Sequence, residues 1–430
     1  MSYPDFFITI IINTMRIFSL FVIFFVFSCK ETVPEKNYEF DGAISKEVLI
    51  NYLSRSITFN GLSMSDTYED DLRLVKNIKP KFVGRVSYVW NNETDFPGRA
   101  KGTITETKEV FERAARAVKD LHAIDPDIVA QACLFEIVDS LYISKIKIPA
   151  KVFEEFGLQP ENRNFSYSDM LYTNGLFYNR WGKGRSVPDL SKIETQLFWF
   201  FLGSTYIDLG FESLHAGQIN LMNSADKDED RVFQMLDRLR DYAKKNGRRH
   251  FVMFDAHTYG NLSEDGHLLF DFHSYPQRPE ELCEKPLECI LDLNALDGRV
   301  IYQNSKGGIT PSGWECESLP YIVEFDNSGI DWDHQGQCDN PTEIWPWGWE
   351  ESAWFSHCSP EYRAEWLQYV VKWLQENDPV GFLEMPVKIP TEAREADGLR
   401  IWYRANKKTE ACPLGYSDEE AIKAAWALNK

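Results

Sequence analysis

The 430-residue sequence predicts an α/β fold, a (β/α)8 barrel of the TIM type with long loop insertions on one rim, and three observations carry this. Short apolar runs bounded by turn residues alternate with longer stretches of helical periodicity, the pattern of βα units around a parallel sheet. Eight such runs are present: Ser56–Leu62, Phe82–Tyr88, Ile128–Glu136, Leu209–His215, Phe251–His257, Leu268–His273, Tyr321–Asp326 and Gly381–Pro386. Hydrophobic residues make up 43% of the chain, enough for one large core, and barrels commonly run to about 250 residues or more with insertions.

Helical patterns fall between the runs, over Glu69–Ile78, Lys108–Leu121, Ile193–Tyr206, Lys227–Asn246 and Glu361–Asn377. The fourth of these begins acidic and ends on basic residues before Gly247, as the helix dipole favours. Asp125-Pro126-Asp127 is a turn ahead of the third run. The link Thr258–His267 is too short and too rich in Gly and Asn for a helix, and Cys289–Leu293 competes with the sixth run as a barrel strand. Insertions at about 140–190, 275–318 and 327–357 extend the loops, so residues 43–430 read as one barrel domain.

Ahead of that domain, Met15-Arg16 precedes an apolar run, Ile17–Phe27, too short to span a bilayer. It reads as an export signal over residues 1–28. Val26-Phe27-Ser28-Cys29 resembles a bacterial lipoprotein box, which would make Cys29 the lipidated residue and 29–42 a polar tether. The expected location is then the outer membrane or cell surface, or the periplasm, with the lipid anchor as the membrane contact; an ordinary signal peptide is the alternative. Seven cysteines follow Cys29, and export permits disulfides. Cys283 and Cys289 are spaced for a small staple, while Cys316, Cys338 and Cys358 share a loop-rich region. Cys133 sits in an apolar run and reads as a small buried residue. A formal charge of −20 disfavours a nucleic-acid partner.

Catalytic groups of α/β barrels gather at the carboxyl ends of the strands. Ionisable residues at those ends here are Glu136, Glu212, Asp255, His257, Asp271, His273, Glu324, Asp326 and Glu384. A charge inside an apolar strand run is costly to bury without a partner, so each needs a network or a function. Hydrolysis of a glycosidic bond needs two carboxyl groups, one protonated and one ionised. Glu212 on the fourth run and Glu324 on the seventh resemble the pair of the retaining (β/α)8 glycoside hydrolases, which carry an acid/base Glu ending strand four and a nucleophilic Glu ending strand seven. The resemblance implies Glu212 as acid/base and Glu324 as nucleophile, on a poly- or oligosaccharide, in an exported bacterial lipoprotein of that fold. Phe211 stands where that group usually has Asn.

Around this pair, Asp326, Asn327, His215, Gln218, Glu136, Asp255, His257 and His273 are candidate ligands of sugar hydroxyls. Trp90 and Trp347, the latter in Trp345-Pro346-Trp347-Gly348-Trp349, are candidate stacking platforms, or else part of a self-packed loop core. Two Asp-x-His pairs, Asp255/His257 and Asp271/His273, each present a carboxylate and an imidazole on one strand face, so a metal-dependent hydrolase is a rival. A non-catalytic glycan-binding lipoprotein is another. No cofactor motif is found: Ser305-Lys306-Gly307-Gly308 lacks phosphate-loop spacing, and no G-x-S-x-G occurs. The expectation is therefore a carbohydrate substrate without cofactor or bound metal.

Overall fold

A computed structural model describes residues 36–89, 107–225, 230–258, 265–293, 300–327, 333–338, 345–394 and 400–429. It is mixed α/β with a parallel central sheet. Strands β1 (Ser56–Phe59), β2 (Phe82–Tyr88), β3 (Val129–Cys133), β4 (Ser213–His215) and β5 (Met253–Asp255) lie side by side in that order, all parallel. A second parallel sheet holds β6 (His273–Pro276), β7 (Tyr321–Glu324) and β8 (Gly381–Leu383). Only Glu384 separates β8 from β9 (Met385–Arg394), which pairs in parallel with β1. On its other side β9 pairs antiparallel with β10 (Arg400–Arg404). Between β5 and the segment entering β6, the Asp271 amide donates to the Phe254 carbonyl at 2.8 Å and the Ser274 amide to that of Ala256 at 3.3 Å.

Helices follow the strands as the apolar periodicity requires. They are α1 (Lys46–Leu53), α2 (Tyr68–Ile78), α3 (Thr107–Ile124), α4 (Ile193–Asp208), α5 (Asp230–Asn246), α6 (Glu351–His357), α7 (Pro360–Asn377) and α8 (Glu419–Trp426). Ser359 caps α7 by accepting from the Tyr362 amide, with Pro360 in the first turn where its missing donor costs nothing. Most of the core lies between these helices and the strands. A separate apolar cluster joins Ile44, Leu49 and Leu53 of the α1 region to Phe82, Val129, Met253, Phe272 and Ile322. Phe82, Val129 and Met253 begin β2, β3 and β5, so α1 covers the amino ends of the strands. Burying each such side chain contributes roughly 1.5–3 kcal/mol. Among the described residues no helix is long and apolar enough to cross a membrane.

Several elements depart from the sequence reading. The sixth strand starts at His273 rather than Leu268: the segment before it makes isolated bonds and no regular ladder, the Asp271 carboxylate accepting from the Phe254 amide at 2.9 Å while the Asp271 amide donates to the Phe254 carbonyl. Cys289–Ile290 pairs antiparallel with Glu280–Glu281 inside an insertion and is not a strand of the parallel set. Cys283 bonds to Cys338, across 55 residues, and Cys289 is a buried free thiol, so the short staple does not form. Tyr38 and Phe40, inside the expected tether, pack edge-on against Tyr52. The signal segment and Cys29 lie outside the described residues.

Candidate functional site

Because the strands are parallel, their carboxyl ends lie on one side of each sheet, and polar side chains from several of them meet there. The centre is Arg85, in the middle of β2. Its backbone is left-handed, φ 58°, and the β2–β3 register shifts between Val83 and Ser87, so β2 bulges at this point. A non-glycine residue at positive φ stores strain that surrounding contacts must offset. Here the Arg85 amide donates to Gln131 Oε1 at 3.2 Å, and its carbonyl accepts from the Gly61 amide at 2.9 Å. The bulge turns the guanidinium onto Glu324, the last residue of β7, with Nη2 donating to Oε1.

Glu324 Oε1 also accepts from His257 Nε2 at 2.7 Å. Burial alone would raise the carboxyl pKa of Glu324, but Arg85 and then His257 outweigh it and hold it well below the ordinary range. One strand over, Glu384 follows Leu383, which is in register with Val323. Its Oε2 accepts from Thr58 Oγ1 at 2.5 Å, while Oε1 is buried without a partner. Burial, then the charge of Glu324, lifts Glu384 to about 8. Gly84 makes the room, since a Cβ there would lie 2.2 Å from Glu384 Oε1. Two carboxyl groups in one site are thus driven in opposite directions, one ionised and one protonated near neutral pH.

Behind them Asp255, ending β5, accepts from Gln131 Nε2 at 2.8 Å, Ser274 Oγ at 2.7 Å and His215 Nδ1 at 2.7 Å. His215 and His257 pack edge to face with centroids 4.7 Å apart. Glu136, past β3, is buried and accepts from the Gln218 amide at 2.9 Å; burial raises its pKa. Gly217, at φ +55°, lets Glu136 in, because a Cβ there would sit 2.2 Å from Oε2.

From the sequence-derived residues the structure brings together Glu324, Glu384, Asp255, His257, His215 and Glu136, and it gives Glu212, Asp271, Asp326 and Trp347 partners of their own elsewhere. Glu212 is on the opposite rim. It precedes β4, its amide donates to the Ala130 carbonyl and its carbonyl accepts from Met253. Its carboxylate pairs with Arg248 at 3.0 Å and Arg249 at 2.9 Å, residues that precede β5. The expected Glu212–Glu324 pair is therefore not assembled. The register explains it: the inward positions on β4 are Ser213 and His215, whose side chains reach Gln131 and Asp255. Glu212→Gln is expected to lower stability by about 3 kcal/mol, the low end for breaking a buried ion pair, since both arginines keep some contact with water. Chemical denaturation measures this; turnover per folded molecule should stay at the parent level, and a loss of turnover at full stability would return Glu212 to the chemistry.

Asp326 is held by Arg278 at 2.7 Å, and Glu351 accepts from the Asp326 amide at 3.2 Å, so this carboxylate organises the loop after β7. Asn327 follows it, half-buried. Trp347 is 3% exposed and its indole N–H donates to the Glu288 carbonyl at 3.1 Å. It is a packed loop core and offers no open face for stacking. The Gln218 side chain is exposed. The Asp-x-His pairs do not converge: Asp271 accepts from Arg240 at 3.2 Å, and His273 is buried with neither ring nitrogen bonded, its pKa pushed down to about 3 by burial. Trp90 lies outside the described residues. Arg85, Gln131, Ser274 and Thr58 were missing from the sequence-derived set. Arg85 had a signal, a lone cation inside the apolar run Phe82–Tyr88.

No family model matches the chain, and no characterised protein sequence does. Among solved structures it is similar to an α-amylase from Geobacillus thermoleovorans, at 8% identity over 88% of this chain and 80% of that one, TM-score 0.41. A trehalose-6-phosphate hydrolase from Bacillus licheniformis matches at 9% identity over 78% of this chain and 65% of that one, TM-score 0.41. An α-galactosidase from Thermus thermophilus matches at 12% identity over 49% of this chain, TM-score 0.27, and the chain spans 41% of its length. Likeness at this level carries no functional weight.

Proposed function

We propose that the chain is a glycoside hydrolase whose parallel strands close into a (β/α)8 barrel, with Glu324 and Glu384 as its working carboxyl groups. The barrel reading is supported by the hydrogen bonds linking β5 to β6 and by the continuity of β8 into β9, which together connect the strands in a ring. The functional reading rests on one observation: an ionised Glu324, clamped by Arg85 and His257, stands beside a Glu384 kept protonated. Glu384 would protonate the departing glycosidic oxygen. Glu324 would attack the anomeric carbon, or activate water against it, as its charge becomes most valuable when the oxocarbenium ion develops. Arg85 and His257 hold the Glu324 carboxylate in place, and the Asp255 group holds His215 beside them.

Export as a lipoprotein through Cys29 is part of the same proposal. The Cys283–Cys338 disulfide supports it, because such bonds persist in oxidising compartments. The substrate class is a poly- or oligosaccharide. A glycan-binding protein without turnover is favoured by a different observation, that Glu324 and Glu384 are only 3% and 1% exposed. Incubation with a panel of plant and algal polysaccharides separates the two. Release of new reducing ends, lost in Glu324→Gln, supports hydrolysis; binding without release on every glycan supports the second reading.

A further inference from the structure

His215 has one ring nitrogen bonded to Asp255 and one with no partner. Asp255 is an acceptor only, so the 2.7 Å contact at Nδ1 places the imidazole proton on that nitrogen. The other two bonds to Asp255 are fixed from behind. Gln131 Oε1 is taken by the Arg85 amide, which leaves the Gln131 NH2 group to face Asp255, and Ser274 donates its hydroxyl to the same carboxylate oxygen as His215. Asp255 therefore accepts from three donors. Burial lowers the pKa of His215 more than Asp255 raises it, so the ring stays neutral.

A neutral imidazole protonated at Nδ1 presents a lone pair at Nε2. That atom is buried, lies across the ring from Asp255, and has no partner. A buried acceptor without a donor is uncommon in a folded protein, and functional sites account for many of the exceptions. The ring also packs on His257, whose Nε2 holds Glu324, so the vacant acceptor sits next to the clamp of the working carboxylate. The two histidines have opposite polarity: His257 Nε2 donates a hydrogen bond to Glu324, and His215 Nε2 is an acceptor.

We propose that His215 Nε2 accepts a hydrogen bond from a hydroxyl of the sugar bound beside Glu324, so that the site selects sugars with a free hydroxyl at that place and rejects those in which it is methylated or absent. This rests on the glycoside hydrolase reading and adds the group that discriminates between sugars. A site built to bond a hydroxyl discriminates strongly against its absence, because the buried partner is then left unpaired.

The test is 15N NMR of the full chain labelled at histidine, with D-glucose, D-galactose, D-mannose and D-xylose as probes. The free protein should show His215 protonated at Nδ1 and bare at Nε2 near neutral pH. At least one sugar should then move the Nε2 resonance towards the hydrogen-bonded position. A proton found on Nε2 in the free protein overturns the proposal and leaves the roles of Glu324 and Glu384 untouched. So does a sugar that shifts His257 while His215 Nε2 stays still. If no probe moves either histidine, this proposal is overturned, while release of reducing ends still decides the glycosidase reading. Kinetics on a cleaved glycoside gives a second arm: His215→Phe should raise KM about tenfold, and the deoxy analogue lacking that hydroxyl should lose nothing further in the variant. An additional loss of the same size in the variant overturns the proposal.

Discussion

Glu324→Gln is expected to cut turnover of any glycoside the protein cleaves by between about a hundredfold and ten-thousandfold, the span typical of removing one positioned proton-transfer or nucleophilic group. The change keeps the shape of the side chain and removes its charge. It therefore separates chemistry from binding: sugar affinity should hold while kcat collapses. The variant should also be less stable. Arg85 is buried and its guanidinium donates to Glu324, and stripping one partner from a buried ion pair costs about 3–5 kcal/mol. Part of that loss is offset from within the site, because Glu384 is held protonated partly by the charge of Glu324. Once that charge is gone, Glu384 ionises at lower pH and supplies Arg85 with a substitute anion. Steady-state kinetics and a urea titration read the two effects separately. Parent-level turnover in Glu324→Gln would remove this residue from the mechanism.

The pH profile should follow from the opposed carboxyls, and its sign can be worked out. Glu384 has a pKa of about 8 in the folded protein, against roughly 4.3 for an exposed Glu. Between these values the folded state binds the extra proton, so the stability it contributes is full at the acid end and is gone once pH has risen through about 8. Glu324 runs the other way. Its folded pKa is depressed, so its contribution is full above the unfolded value and is lost as pH falls. Activity should therefore decline above pH about 8, as the proton donor is consumed. Glu384→Gln keeps a neutral group that can still accept from Thr58, so it should flatten the alkaline fall in stability. It should abolish cleavage of alkyl glycosides and spare aryl glycosides whose leaving groups need little protonation. An alkaline limb unchanged in Glu384→Gln would assign it to another group.

How much of this was legible in the sequence depends on which residue is considered. The parallel-strand pattern was readable because the first eight strands are short apolar runs flanked by turns, and of these all but the sixth lie inside their expected segments, whereas β9 and β10 were not anticipated. The sixth misleads because Leu268–Phe272 is largely apolar for burial, and its backbone hydrogen bonds, Leu268 to Ile309 and Asp271 to Phe254, do not form a regular ladder, which begins at His273. Glu324 and Asp255 were legible as charges at strand ends. Glu212 was not correctly placed, because the apolar segment Leu209–Phe211 looks like strand but ends α4 and leads into β4, which puts Glu212 before the strand instead of within it. No local pattern shows that slip, since it depends on where the register starts relative to Ala130 and Met253. Trp347 shows a related limit: proline and glycine exclude a regular helix, yet they do not say which face of a loop is covered. The bulge at Arg85 needs its tertiary contacts with Gln131 and Gly61 to exist at all, so the sequence marks the charge and not its aim.

The most direct test of the opposed carboxyls is a 13C NMR titration of the glutamate side-chain carboxyls, assigned with Glu324→Gln and Glu384→Gln. One resonance, missing in Glu324→Gln, should remain that of a carboxylate at neutral pH and well into acid. Another, missing in Glu384→Gln, should be protonated at neutral pH and titrate near 8. Two carboxyls that both ionise at the ordinary value for exposed glutamate, or a Glu384 ionised at neutral pH, would contradict the assignment of acid and base made here.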